Sequence, residues 1–422
     1  MPKTVRAAVV AATALALTSA PLAAAHAAPV PTPAPAPAGT TVQVDALRWV
    51  DGRPVLETRT ATDAASAARL AARLEAAPDI SDAQPRTTYA LTPSADAARL
   101  SGRRLLTTDP YLKYAYHLNA VDAYGAWAVT QGAGVTVAVL DSGVDPRQPD
   151  LVGRVRDLGN FTRESAAIVV DHGTEVATVV AGAYGNAVGA AGVAPGVTIL
   201  SGKVCEAAGC SSDAVVKGIT AAVNAGADVV NLSLGGETYN RTTAATVQWA
   251  VSKGVVVVAA AGNSGDQGNP VEYPAAYDGV ISVSASTPTG AAAAWAQHNS
   301  YVDLSAPGES IPAGLPLTDG TYPYEPVAGT SFSAPQVAAA AALVRSVAPD
   351  ADVATVEGWL KGSATPASWA PGYGTGLLDV AAAVDAARTA TVGAPAPAPE
   401  PAPVLVPRTP RALKPTPVPR TS

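Results

Sequence analysis

A doubly wound α/β fold, with a mostly parallel sheet covered by helices on both faces, is predicted for residues 109–392, and three observations carry that reading. Short, continuously apolar runs rich in Val and Ala recur at 135–140, 197–204, 228–234, 255–260, 280–283 and 302–304, as strands buried on both faces require. Helical stretches at 173–183, 213–225, 243–253 and 331–347 fall among these runs, and that alternation is the mark of parallel strands joined by crossover helices. A hydrophobic content of 48% against 14% charged residues over 422 positions lets the chain bury a full-sized core and still carry appended segments. Two more helices, at 353–361 and 379–388, are expected to close the domain at its surface.

The flanks read differently. Residues 1–27 carry Lys3 and Arg6, then an apolar stretch, then Ala25-His26-Ala27, the pattern of a cleaved secretory signal peptide. Its apolar run falls short of the ~20 residues of a membrane-spanning helix, so the expectation is a secreted, extracellular monomer with no span in the mature chain. Residues 28–108 begin with a Pro/Ala linker. They continue as strands at 41–48 and 55–60, a helix at 64–76 and a strand at 83–91, a small α+β module, and end in a polar connector holding Arg103-Arg104. Residues 393–422 form a Pro/Ala-rich tail with Arg408, Arg411, Lys414 and Arg420 against Glu400. Such a segment is expected to be disordered, as a plain spacer or as a contact to anionic polymer. A net charge of -7 without basic clusters in the globular part argues against nucleic acid as a partner.

Cys205 and Cys210 are the only cysteines, and in an exported chain so close a pair reads as a disulfide. No His-Glu-x-x-His sequence is present, which removes a common zinc-peptidase signal.

Four motifs carry chemistry. VAVLDSG at 137–143 and AAGNSG at 260–265 place Asp141 and Asn263 directly after apolar strands, at the carboxyl ends where doubly wound sheets build their sites. HGT at 172–174 puts His172 at the start of a helix, and GTSFSAP at 329–335 puts Ser331 at the start of another. A serine there meets unpaired N–H groups and the positive end of the helix dipole, which favour developing negative charge. Each motif alone has a plain structural reading as a cap or a turn. Together, in the order Asp, His, Asn, Ser, they form a nucleophilic constellation; a dinucleotide fingerprint is absent from the Gly-rich stretch 182–192.

On these motifs the chain resembles the subtilisin-like serine peptidases, the subtilases, over about 109–388. The resemblance implies a subtilisin-like fold preceded by a propeptide at 28–108 that acts as chaperone and intramolecular inhibitor. It implies Asp141, His172 and Ser331 as a triad and Asn263 as oxyanion donor. Glu175 departs from the histidine usual at that position. Ser233, Leu234 and Gly235, with Gly209 and Ser211 beside the cysteine pair, would be edges that pair with an extended polypeptide substrate. Glu272 would lie near the base of the main specificity pocket, favouring Lys or Arg before the scissile bond, unless it faces solvent; Arg103-Arg104 would then suit self-cleavage. No cofactor is needed for the chemistry, but Asp150 and Asn186, with Asp109, match ligands of a structural calcium, or serve simply as turn residues. The function implied is a secreted serine endopeptidase made as a zymogen. The alternative is a catalytically silent binding or scaffold protein of the same fold.

Overall fold

The Val-rich runs line up in one parallel sheet, and a separate small module precedes them. The computed structural model describes residues 41–91, 109–165, 171–317 and 320–392. The expected signal peptide, most of the connector with Arg103-Arg104, and the tail lie outside these residues.

The module begins as a hairpin of β1 (Val42–Val50) and β2 (Arg53–Ala61). Its turn is Asp51-Gly52, both at positive φ, the conformation that Asp-Gly adopts at least cost in a two-residue hairpin. Helix α1 (Ala64–Glu75) follows, capped by Asp63, whose carboxylate accepts the Ser66 N–H at 2.7 Å. Strand β3 (Ile80–Pro85) then returns antiparallel to β1. The core beneath is Val44 with Ala46, Ala61, Ala67, Ala71 and Ala83. At about 0.8 kcal/mol per buried methylene so small a core contributes little, and the module leans on its neighbour.

The single strand expected at 83–91 is two strands. After β3 the chain turns at Arg86, and β4 (Thr88–Leu91) joins a different sheet. Arg86 fixes the turn: it pairs with Asp45 of β1 at 2.7 Å and with Asp213 of the larger domain at 2.9 Å. Arg241 makes a second bridge, to Asp82 at 2.8 Å and to Glu75. Trp249 Nε1 donates to the Gly52 carbonyl at 2.9 Å.

In the larger domain, α2 (Tyr116–Ala120) and α3 (Ala123–Trp127) lead into β5 (Thr136–Asp141) and β6 (Val155–Asn160). Next come α4 (Asp171–Ala181), β7 (Thr198–Lys203) and the short hairpin of β8 (Cys205–Glu206) and β9 (Gly209–Ser211). Then follow α5 (Ser212–Asn224), β10 (Val229–Leu232), β11 (Leu234–Gly235), α6 (Arg241–Ser252), β12 (Val256–Ala260) and β13 (Val280–Ser286). The C-terminal part adds β14 (Leu304–Pro307), β15 (Ile311–Gly314), β16 (Tyr324–Val327), α7 (Thr330–Val347), α8 (Val353–Ser363) and α9 (Val380–Val392).

Seven of these strands form a parallel sheet in the order β14-β13-β12-β10-β5-β7-β6. Side chains alternate across it. Val137 and Val139 enter the core with α4, α7 and α9, while Ala138 and Leu140 enter the opposite core with α5 and α6. Helix α7 is buried along most of its length because residues 338–342 are alanines, which let the backbone approach the sheet closely. The sheet thus presents the carboxyl ends of β5, β10 and β12 and the N-termini of α4 and α7 to one another.

Candidate active site

Asp141 ends β5 fully buried, and His172 opens α4 at 7% exposure. His172 Nδ1 lies 2.9 and 3.0 Å from the two Asp141 carboxylate oxygens, and the Ser142 N–H donates to Asp141 Oδ1 at 2.7 Å. Ser142 Oγ accepts the Gly173 N–H at 3.0 Å, tying the helix start to the strand end. A side chain at Gly173 would meet the Gly143 carbonyl at 2.3 Å, so only glycine allows this approach. Burial opposes the imidazolium, but the Asp141 charge and hydrogen bond outweigh it and hold His172 above its ordinary value. Glu175, one turn on, is pushed up to about 8 by burial, partly offset by His172.

Ser331 is fully buried in the first turn of α7. Pro335, four residues on, has no N–H to give to the Ser331 carbonyl. Ser233 Oγ donates to that carbonyl instead, at 2.8 Å, and Asn231 Nδ2 donates to Ser233 Oγ at 2.9 Å. The Ser331 hydroxyl donates to the Ser233 carbonyl at 3.3 Å. His172 Nε2 is buried with no hydrogen-bond partner among the described residues.

Asn263 reaches the same helix start. Its Oδ1 accepts the Thr330 N–H at 3.0 Å and the Thr330 hydroxyl at 2.9 Å, which leaves its Nδ2 as the free donor side. Thr330 Oγ1 also accepts the Gly262 N–H at 3.1 Å. Gly329 is at φ 145°, and a side chain there would lie 3.1 Å from Asn263 Nδ2. The sequence offers Thr330 only as a possible helix cap, and its hold on Asn263 is not visible in the GTSFSAP motif.

Two edges flank this centre. Strand β4 pairs antiparallel with β11, Leu91 opposite Leu234 and Ala90 opposite Gly235, and with β9, Thr88 opposite Ser211 and Tyr89 opposite Cys210. The four-stranded order is β11-β4-β9-β8. Cys205 and Cys210 form a disulfide across the β8-β9 hairpin. Gly209 is needed where β4 passes, since a side chain there would meet the Tyr89 carbonyl at 2.6 Å.

Glu272 faces inward. Side chains at Gly235 and Gly262 would meet its carboxyl group at 2.4 and 2.6 Å. Its Oε1 accepts Gln297 Nε2 at 2.7 Å, and Gln297 Oε1 in turn accepts the Ser264 N–H at 2.7 Å. Burial pushes this carboxyl up to about 7, with Gln297 opposing.

The residues expected to bind calcium do not fit one. Asp150 accepts Asn186 Nδ2 at 2.8 Å, the Tyr324 hydroxyl at 2.8 Å and the Ala190 N–H at 3.1 Å. Asn186 Oδ1 accepts the Val188 N–H at 2.9 Å, which fixes the amide with its nitrogen toward Asp150. Asp109 accepts the N–H groups of Gly185 and Ala187 at 2.7 and 2.8 Å. Hydrogens, not lone pairs, converge on Asp150, whereas calcium needs six to eight oxygen ligands. The other described histidines lie elsewhere: His117 is buried in α2 without a partner for either ring nitrogen among the described residues, and His298 Nδ1 contacts the Ala296 carbonyl at 3.1 Å.

The family model of the subtilase family matches residues 132–379. The chain belongs to the subtilase family, the subtilisin-like serine peptidases. It is 40% identical over 259 residues to subtilisin of Bacillus pumilus, covering 60% of this chain and 91% of that protein. It is also 40% identical over 259 residues to subtilisin E of Bacillus subtilis (strain 168), where the match spans 66% of that protein and 60% of this chain. Thermitase of Thermoactinomyces vulgaris is 36% identical over 242 residues, 56% of this chain and 85% of that protein. Among solved structures, a protease of Pseudoalteromonas arctica aligns with a TM-score of 0.60 at 29% identity, over 67% of this chain and all (100%) of that one. The MycP3 protease of a type VII secretion system aligns with a TM-score of 0.58 at 27% identity, over 71% of this chain and 94% of that one.

Proposed function

We propose that this subtilase is a secreted serine endopeptidase that works through Asp141, His172 and Ser331 and is made with an N-terminal inhibitory module. The observation that carries the reading is the double contact of Asp141 with His172 Nδ1, which leaves Nε2 unpartnered among the described residues. His172 Nε2 takes the Ser331 proton as Oγ leaves the Ser233 carbonyl and attacks the peptide carbonyl, and it later gives the proton to the departing amine. Asp141 holds the tautomer and stabilises the imidazolium. The oxyanion is met by Asn263 Nδ2 and the Ser331 N–H. Water then cleaves the acyl-enzyme by the same route in reverse. No metal takes part in these steps.

The module supports the zymogen reading, because β4 already lies between β9 and β11 as an extended peptide would. The sequence that follows Leu91 is Thr92-Pro93, which offers neither a basic residue to Glu272 nor an ordinary amide to cleave, whereas Arg103-Arg104 further on offers both. Processing in the connector fits this best. No helix among the described residues is long and apolar enough to cross a membrane, and the signal-like sequence at 1–27 supports export.

Comparing wild type with Ser331→Ala tests the reading. Wild type is expected to lose its N-terminal segment and to hydrolyse casein. Ser331→Ala is expected to keep the segment and to lose about 10⁶-fold in turnover. Equal processing of both chains, with equal turnover, would refute it.

A further inference from the structure

The disulfide lies in a hairpin that loses its larger neighbour when the module leaves. Strand β9 sits between β4 and β8 in the sheet order β11-β4-β9-β8. Its β4 side is supplied by the module, with Thr88 opposite Ser211 and Tyr89 opposite Cys210. Just beyond β9 the Ser212 N–H donates to the Thr87 carbonyl at 3.0 Å, and Ser212 Oγ accepts the Thr87 N–H at 3.2 Å. All of these contacts go with the module.

What remains on the other side is β8, which pairs with β9 at Cys205 with Cys210 and at Glu206 with Gly209. So short a hairpin is not stable in water by itself. The two strands are held unequally. Strand β8 continues from β7 through buried Val204, whose N–H donates to the Asp141 carbonyl at 2.8 Å. Glu206 adds a clasp, its Oε1 accepting the N–H groups of Arg163 and Glu164 at 2.6 and 3.1 Å. Strand β9 is tied to this anchored partner by two residue pairs and by the Cys205–Cys210 bond.

The register says which substrates would meet β9. Leu91 lies opposite Leu234, and the Ser233 carbonyl just before it is 3.3 Å from Ser331 Oγ. A peptide in the register of β4 therefore has its attacked residue after the Leu91 position. It pairs with β9 at the Tyr89 and Thr88 positions, further back along the chain. A substrate of one residue never reaches β9, whereas one of five residues lies along it.

Resting on the peptidase reading above, we propose that the Cys205–Cys210 disulfide is a positioning element that keeps β9 on β8 in the processed enzyme and thereby sets its preference for long over short substrates. The bond takes no part in the chemistry at Ser331. Bridging a loop with a sequence separation of 5 is equivalent to about 40-fold in an ordering equilibrium. Since β7 and α5 hold the ends of this loop in any case, a loss of about tenfold is expected for long substrates when the bridge is opened. Disulfides persist in oxidising compartments, so the length preference belongs to the exported enzyme.

The test uses enzyme from the full chain after it has processed itself, with active sites counted by fluorophosphonate. Dithiothreitol opens the bond, passing two electrons and two protons to the sulfurs as it closes to its own cyclic disulfide; an aliquot trapped with iodoacetamide confirms two thiols by intact mass. The double variant Cys205→Ala/Cys210→Ala gives the unbridged state without reductant. The substrates are the acetylated coumarin amide of Thr-Tyr-Ala-Leu-Xaa and the acetylated ethyl ester of Xaa alone, with Xaa as Arg and as Leu. Opening the bridge is expected to lower kcat/KM for the pentapeptide about tenfold, mainly through KM, and to leave the ester within about twofold. Removing the dithiol and reoxidising should restore the pentapeptide rate. Equal losses on both substrates would mean general damage to the fold and overturn the proposal, as would an unchanged pentapeptide rate in enzyme shown to carry two thiols. Reduced wild type decides the matter if the double variant does not fold. Bridged wild type that cleaves neither substrate nor casein would overturn the peptidase reading instead.

Discussion

Ser233 and Ser331 hydrogen-bond each other in both directions: Ser233 Oγ donates to the Ser331 carbonyl at 2.8 Å, and Ser331 Oγ donates to the Ser233 carbonyl at 3.3 Å. The first bond exists because Pro335 leaves the Ser331 carbonyl without its helical donor. The second parks the proposed nucleophile on the edge that pairs with β4. Ser233→Ala should therefore strand a buried carbonyl and cost about 1–3 kcal/mol. Adding Pro335→Ala restores an N–H four residues on, and the double variant should recover part of that loss in urea unfolding. A double-mutant cycle with no coupling would contradict this link.

Asn263→Ala is expected to lower kcat by about 100 to 1,000-fold with little change in KM, since the proposed role of the amide is to meet the oxyanion alone. Thr330→Val removes one of the two bonds that aim that amide. It should lower kcat less than Asn263→Ala does, and steady-state kinetics on one peptide separate the two.

The Asp150 cluster gives a prediction about calcium. A bound ion at a hundred times its Kd would add about 2.7 kcal/mol to stability. Because hydrogen-bond donors already fill the carboxylate, the thermal midpoint at neutral pH should be the same in millimolar calcium and in a chelator. A rise of several degrees with calcium would restore the ion to this site.

His117 sets an acid limit. Burial lowers its folded pKa to about 3 from the ordinary 6.5, so the unfolded chain takes up a proton first as pH falls. Its contribution is complete above about pH 6.5 and is lost between there and about pH 3, at up to about 1.4 kcal/mol per pH unit. Unfolding measured across this window should be less steep in pH for His117→Phe than for wild type, and unchanged steepness would reject the assignment.

Glu272 is proposed to select basic residues. As its carboxyl, pushed up to about 7, ionises, the preference for Arg over Leu at the attacked residue should grow from pH 6 to pH 8. Glu272→Gln should remove both the preference and its pH dependence. A wild-type preference for large apolar residues at all pH values would sink the idea.

Much of this arrangement was legible in the sequence because the informative segments are local. The strand that ends at Asp141 and the helix that begins at Thr330 declare themselves by continuous apolar runs and a Gly before a hydroxyl pair. Strand β6 did not, because Val155–Asn160 is a polar edge strand with no apolar run. The division of 83–91 depends on Arg86 meeting Asp45 and Asp213, which no periodicity reveals. The donors that fill Asp150 are hidden from the sequence for the same reason. The hydroxyl that satisfies Asp150 comes from Tyr324, 174 residues further along the chain.

The proposed peptidase activity stands most directly on the reactivity of Ser331. Wild-type protein freed of its N-terminal segment and treated with a fluorophosphonate should gain one adduct by intact mass, mapped by peptide digestion to Ser331, and Ser331→Ala should gain none. A folded, processed wild type that stays unlabelled, or carries the adduct on another serine, would contradict it.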